Sequence, residues 1–298
     1  MWYNFGKAIY MVNLMMKFKE NRCASFVIIF LIYLLASALG IIVFRLLTFD
    51  MWLSLLIADM SATVFTFLFS VILGNASVYD PYWSVQPIVI LFALIIGGGA
   101  SVSGVLILST VSLWGVRLTA NWAYTFRDLT HQDWRYTMLR KKTGAFYPLI
   151  NFVGIHSVPT IVVYAATLPA AYVIIEHGEV NILFVLSLLI SLFAATLQCL
   201  SDIEMHSFRK NGDGGFIRTG LWKYSRHPNY LGEILMWWGI ALAAISSLGF
   251  RWYLPLGAIL NTVLFFFVSI PMADSRQSRK EGFDEYKRST RMLLPIKK

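Results

Sequence analysis

Long apolar runs dominate this chain. They show neither the strict alternation of a half-buried strand nor the wide polar face of a soluble amphipathic helix, and short polar segments break them at intervals. The runs at residues 26–47 and 52–73 are each long enough to cross a hydrocarbon layer of ~30 Å as a helix. Further runs follow at 84–97, 102–126, 148–175, 181–206, 228–248 and 252–272. The pattern predicts an all-α fold, a polytopic membrane helical bundle of seven to eight transmembrane helices. Residues 1–22 mix apolar positions with Lys7, Lys17, Lys19 and Arg22, and are expected to form an interfacial helix lying on the membrane surface. No cleavable leader is read there, so the first span is expected to act as the insertion signal.

The intervening segments give the topology. Segments 74–83, 127–143 and 207–227 are polar loops, and 273–298 reads as a basic amphipathic tail. With both termini cytoplasmic and eight spans, 22 of the 25 Lys and Arg residues fall on the cytoplasmic side. The exceptions are Arg45, Arg117 and Arg251, and the acidic turn at 176–179 falls outside. Residues 1–73 are read as the interfacial helix plus two spans, and 74–298 as the membrane domain that carries the chemistry.

Composition agrees: 57% of residues are hydrophobic and 14% charged, with a mean hydropathy of +0.64. The net charge of +9 is therefore a membrane-topology signal and not a nucleic-acid footprint. Cys23 and Cys199 have no metal-ligand spacing and read as free thiols; no metal site is predicted. Asp59, inside the second span, reads as a structural hydrogen-bonding group between helices. No internal repeat of the kind transporters carry is visible.

The chemistry concentrates at Gly220-Leu-Trp-Lys-Tyr-Ser-Arg-His-Pro-Asn-Tyr-Leu-Gly-Glu233, which runs straight into an apolar helix. Pro228 suits a first helical turn, where its missing N–H is not needed. Asn229 and Glu233 are four residues apart and share a helix face, with Tyr230 beside them. A carboxylate one turn inside such a helix is costly unless it meets a partner or ligand. Gln198, Asp202 and Arg209 end the preceding span. Tyr224, Arg226 and His227 add cations and a stacking group on the same predicted face. Guanidiniums take phosphates with paired donors, carboxylates take ribose hydroxyls and aromatic rings stack on bases, so a large anionic cofactor suits this inventory.

The stretch from Gly220 to Leu242 resembles the C-terminal signature of the steroid 5-alpha-reductase superfamily. Tyr79-Asp-Pro-Tyr-Trp-Ser84, Arg117-Leu-Thr-Ala-Asn-Trp122 and His131-Gln-Asp-Trp-Arg-Tyr136 look like those of a steroid-reductase-like branch of membrane proteins. The resemblance implies an NADPH-dependent oxidoreductase that reduces a carbon–carbon double bond of a lipid-soluble enone. It further implies a multi-pass protein of the bacterial inner membrane, in contact with membrane lipids and with its cofactor site facing the cytoplasm. It makes Asn229, Glu233, Asp202 and Arg209 cofactor contacts, with Gln198, Arg276 and Tyr286 as looser matches. In that superfamily a Glu and a Tyr polarise the substrate carbonyl. Here Gln86 stands where an acid is expected, and Tyr82, Asn121 and Tyr124 are the other candidate catalytic donors. Arg226-His-Pro-Asn-Tyr230 also resembles the Arg-His-Pro-x-Tyr motif of isoprenylcysteine and phospholipid methyltransferases, which implies S-adenosylmethionine as the alternative cofactor.

Overall fold

The structure, a computed structural model, describes residues 17–212 and 214–295. The expected interfacial helix at 1–22 lies largely outside them. Among the described residues eight helices are long and apolar enough to cross a membrane, and no strand forms beyond an isolated bridge between Ser225 and Arg291. The all-α, multi-pass architecture read from the apolar runs is the architecture observed.

Two compact units make up the chain. The first comprises residues 1–86 and 122–161, the second 87–121 and 162–298. In the first unit, α1 (Arg22–Leu46) and α2 (Met51–Ile72) pack side by side. The Asn21 side chain caps α1 by accepting the Ala24 N–H at 3.0 Å. Gly40 lets α1 approach the Ala58 carbonyl of α2, which a Cβ would meet at 3.4 Å. A 3₁₀ turn, Ala76–Tyr79, leads into α3 (Tyr82–Gly98), and α4 (Val102–Thr125) returns.

The 127–143 segment differs from expectation. Residues Trp134–Thr143 form a helix, α5, where the sequence reading has only a polar loop. Asp133 caps it by accepting the Arg135 N–H at 2.8 Å. Arg140, Lys141 and Lys142 fill its last turn, where cations meet the negative end of the helix dipole, and Gly144 ends it at φ 53°. The chain then passes through a short helical turn and a π-helix, Asn151–Ser157, into α6 (Val158–Ile175).

In the second unit, α7 (Ile182–Lys210) and α8 (Pro228–Leu248) form the principal pair. Their closeness depends on small residues. A Cβ on Gly232 would lie 2.7 Å from the Ala194 carbonyl, and one on Gly239 would lie 2.8 Å from the Ser187 carbonyl. The last span comprises α9 (Leu256–Leu264), a π segment (Phe265–Ser269) and α10 (Ile270–Gln277). The expected tail is more ordered than an amphipathic extension. It forms α11 (Phe283–Ser289) and returns to the 220–228 segment, where Arg226 N–H donates to the Arg291 carbonyl at 3.0 Å. At the opposite ends of these helices Arg251 donates twice to Glu176, at 2.6 Å each, and this holds the Glu176 carboxyl below its usual range. Outward-facing Phe30, Leu46, Ile96, Val102 and Phe193 are exposed, as side chains that face lipid must be.

Candidate functional site

In the second unit, the turn before α8 delivers its polar groups to a buried network. Glu233 is only 5% exposed. Its carboxylate accepts from Trp114 Nε1 at 2.9 Å, Gln198 Nε2 at 2.8 Å and Trp237 Nε1 at 3.1 Å. Three donors for one buried carboxylate answer the cost of placing it one turn inside an apolar helix. The Gln198 oxygen in turn accepts from Arg117, whose other terminal nitrogen meets Asp202 at 2.8 Å. A single chain of hydrogen bonds therefore runs from Glu233 through Gln198 and Arg117 to Asp202. Arg117, one of the three exceptions to the topology count, is an intramembrane partner and not a loop charge.

A second cluster fixes the other half of the motif. Asp274 of α10 accepts from Arg226 at 3.1 Å and pairs with His227 Nε2 at 2.9 Å. Arg226 also donates to the Thr290 carbonyl at 2.7 Å. His227 stacks on Tyr230 with centroids 5.2 Å apart, and Tyr230 meets Phe265. Tyr286 donates to the Trp222 carbonyl, and its burial raises the phenol's pKa. Arg226, His227 and Tyr286 thus clamp the C-terminal segment onto the start of α8. Tyr224 is half exposed beside Lys223.

Beyond this clamp the charge is unbalanced. Lys280, which donates to the Gly215 carbonyl at 2.5 Å, has its pKa lowered by burial and by the neighbouring charges of Arg276 and Arg209. Like charges gathered this way favour an anion. Among the described residues, the buried Asn229 Oδ1, Arg226 Nε and Arg117 Nε meet no hydrogen-bond partner. Cations gathered about Lys280 and orphaned polar atoms in the same unit suit the chemistry of an anionic dinucleotide, the cofactor the motifs imply. Asn121, expected at the substrate end, lies in this unit and pairs with His206 at 2.7 Å.

The first unit carries the other candidates. Tyr82 donates to Asp59 Oδ1 at 2.7 Å, and Gln86 Nε2 donates to Asp59 Oδ2 at 2.6 Å. Tyr79 stacks on Tyr82 at 5.2 Å, and its hydroxyl meets Thr160 at 2.8 Å. Asp59, read from the sequence as a hydrogen-bonding group between helices, thus joins α2 to Tyr82 and Gln86 of α3. Tyr124, by contrast, is 69% exposed near the end of α4. Sequence reasoning named Tyr82 and Gln86 but not what joins them. Arg117, Trp114, Asp274 and Lys280 also went unassigned, although an arginine within an apolar run is a signal in itself.

Residues 66–290, well over half of the chain, match the family described as "protein of unknown function (DUF1295)". Among curated proteins, 3-oxo-5-alpha-steroid 4-dehydrogenase 1 of Macaca fascicularis is 33% identical over 98 residues, covering 32% of this chain and 34% of that one. The Homo sapiens protein of the same name is 32% identical over 98 residues, covering 32% and 35%. Steroid 5-alpha-reductase DET2 of Gossypium hirsutum is 36% identical over 73 residues, covering 24% and 28%. The chain thus spans about a third of the length of the curated relatives it matches. No solved structure matches it. On the family match and these relatives, the chain belongs to the DUF1295 family, whose members are steroid 5-alpha-reductase-like.

Proposed function

We propose that this protein is a membrane-embedded, NADPH-dependent reductase of a carbon–carbon double bond conjugated to a carbonyl in a lipid-soluble substrate. The observation that carries this reading is the Tyr82–Asp59 pair, a buried phenol held by a carboxyl group in a chain whose relatives are named for steroid reduction. The phenol has a single proton, so to donate to a carbonyl oxygen as negative charge develops on it the hydroxyl would turn that proton from Asp59 to the substrate, with a protonated Asp59 donating to the phenol oxygen in exchange. Asp59 orients that donor, and Gln86 keeps the second carboxyl oxygen occupied. NADPH, when bound, supplies the hydride for the β-carbon.

For the cofactor, Arg209, Arg276 and Lys280 would take the phosphates, and Asn229 would offer its orphaned oxygen to an amide or hydroxyl donor. The Glu233–Gln198–Arg117–Asp202 chain would hold the polar groups of α4, α7 and α8 in one network for it. Against the methyltransferase alternative stands Asp274. In that reading Arg226 and His227 bracket the carboxylate of S-adenosylmethionine, whereas here both hold a carboxylate of the chain itself.

The test is thermal stability of the detergent-purified protein with NADPH, NADH, S-adenosylmethionine or S-adenosylhomocysteine. A ligand at a hundredfold excess over its Kd stabilises the folded state by about 2.7 kcal/mol. Stabilisation by NADPH is expected, and stabilisation by the adenosyl compounds alone would transfer the argument to methyl transfer.

A further inference from the structure

The basic end of α5 has no task in the reduction proposed above. From Trp134 to Ile175 the helical run covers 42 residues. At a rise of 1.5 Å per residue such a run is about twice as long as the ~30 Å hydrocarbon layer is thick. One span therefore needs only the later part of it. The turn at Gly144 sets α5 apart from that part and leaves it at the boundary of the apolar layer.

Charge at this boundary is one-sided. Residues 134–149 hold four cations and no acid, and the next acid after Asp133 is Glu176. Arg135 is answered by Asp133 at 2.8 Å and by Asp80 at 3.9 Å. Arg140, Lys141 and Lys142 are exposed and form no ion pair among the described residues. The negative end of a helix offsets roughly half an elementary charge, so these three leave a surplus of about two and a half.

A charge that only sets topology needs no apolar neighbour, yet this cluster has two. Just after the basic turn, Phe146 is 73% exposed and Leu149 is 59% exposed. The Arg140 guanidinium lies 5.1 Å from the centroid of the buried Tyr147 ring, which fastens the basic turn to the start of the span. Free cations and exposed apolar side chains thus stand side by side at the membrane boundary. An anionic headgroup and the acyl chains beneath it have the same arrangement.

We propose that Arg140, Lys141 and Lys142 hold the headgroup phosphate of an anionic membrane phospholipid, with Phe146 and Leu149 against its acyl chains. A zwitterionic lipid offers the same chains, but its own cation already neutralises the phosphate. The site therefore selects lipids of net negative charge. It lies within the first unit and requires neither cofactor nor substrate.

The full chain in detergent is titrated with dioleoylphosphatidylglycerol or dioleoylphosphatidylcholine, which share acyl chains and differ in headgroup charge. Native mass spectrometry gives the Kd of the first lipid bound. The wild type is expected to prefer phosphatidylglycerol. Lys141→Gln with Lys142→Gln should weaken that lipid about twentyfold, near fivefold per cation, and leave phosphatidylcholine unchanged. Phe146→Ser should weaken both lipids alike. Arg279→Gln with Arg288→Gln removes as much exposed charge from the tail and should change neither. Unfolding temperatures in phosphatidylcholine check that each variant folds, and Lys141→Gln alone, with about a fivefold loss, serves if the double variant does not. Equal affinity for the two lipids in the wild type overturns the proposal. So does a preference that survives loss of both lysines, or an equal loss in the tail variant, which would mean that net charge alone attracts the lipid. Displacement of phosphatidylglycerol by an equal concentration of glycerol 3-phosphate would assign the cations to a soluble anion instead.

Discussion

The Tyr82 hydroxyl donates to the Asp59 carboxylate at 2.7 Å, joining the first turn of α3 to the middle of α2. Both side chains are buried, and Gln86 supplies the carboxylate's other donor at 2.6 Å. If Tyr82 is the group that meets the substrate carbonyl, Tyr82→Phe removes a donor aimed at developing charge. Such losses lower turnover by about 10²–10³-fold. Reduction of a 4-en-3-one steroid, followed as NADPH consumption, should fall by that order while the NADPH-induced thermal shift is kept. Asp59→Asn should fall less, since an amide can still orient the phenol.

Glu233 makes a sharper demand. Two indoles and the Gln198 amide all point N–H groups at one carboxylate. Glu233→Gln turns one acceptor oxygen into a donor, so at least one N–H faces another N–H. Leaving a buried donor unmet costs about 1–3 kcal/mol. The apparent Tm should drop, and stabilisation by NADPH should weaken with it. An unchanged cofactor shift in Glu233→Gln would falsify the assignment of this network to the cofactor end.

Gly232 tests the packing that brings Gln198 to Glu233. A Cβ there would meet the Ala194 carbonyl at 2.7 Å and press on Gln198 itself. Backbone cannot yield as a flexible side chain does, so Gly232→Ala should separate α7 from α8 and cost about 1–3 kcal/mol. Ala194→Gly does not relieve a clash with the Ala194 carbonyl, whereas a variant at exposed Leu242 should be neutral. Thermal unfolding in detergent distinguishes these outcomes.

Much of this was visible in the residues, for identifiable reasons. Membrane spans announce themselves by length and hydropathy, and Pro228, Asn229 and Glu233 stand out because polar groups at the mouth of an apolar helix have few structural excuses. Gln198 and Asp202 are one helical turn apart, so their shared face was readable too. What local pattern could not supply was long-range pairing. Asp59 and Tyr82 are 23 residues apart, Arg117 and Asp202 are 85 apart, and His227 finds Asp274 after 47. Helix α5 was missed for another reason. Its Asp133 cap and terminal cations were present, but a hydrophilic helix leaves no trace in an apolar-run reading.

The Lys280 environment makes a prediction about pH. Burial and the charges of Arg276 and Arg209 lower its pKa from the ordinary value of 10.5, so the protonated form is less favoured in the folded chain than in the unfolded one. In the absence of ligand, stability gains from relieving this repulsion as pH rises through the window between the lowered value and 10.5. A bound phosphate reverses the preference, because it favours the protonated amine. NADPH affinity should therefore fall with rising pH within that window, by roughly fivefold for one partly exposed charge. Lys280→Arg, which stays charged throughout, should flatten the profile. Lys280→Met should flatten it at the weaker affinity. Binding constants taken from about pH 7 to about pH 10 at fixed ionic strength make the comparison. A wild-type profile that is already flat would mean that Lys280 does not face a phosphate, and the anion would have to be sought on Arg209 and Arg276 alone.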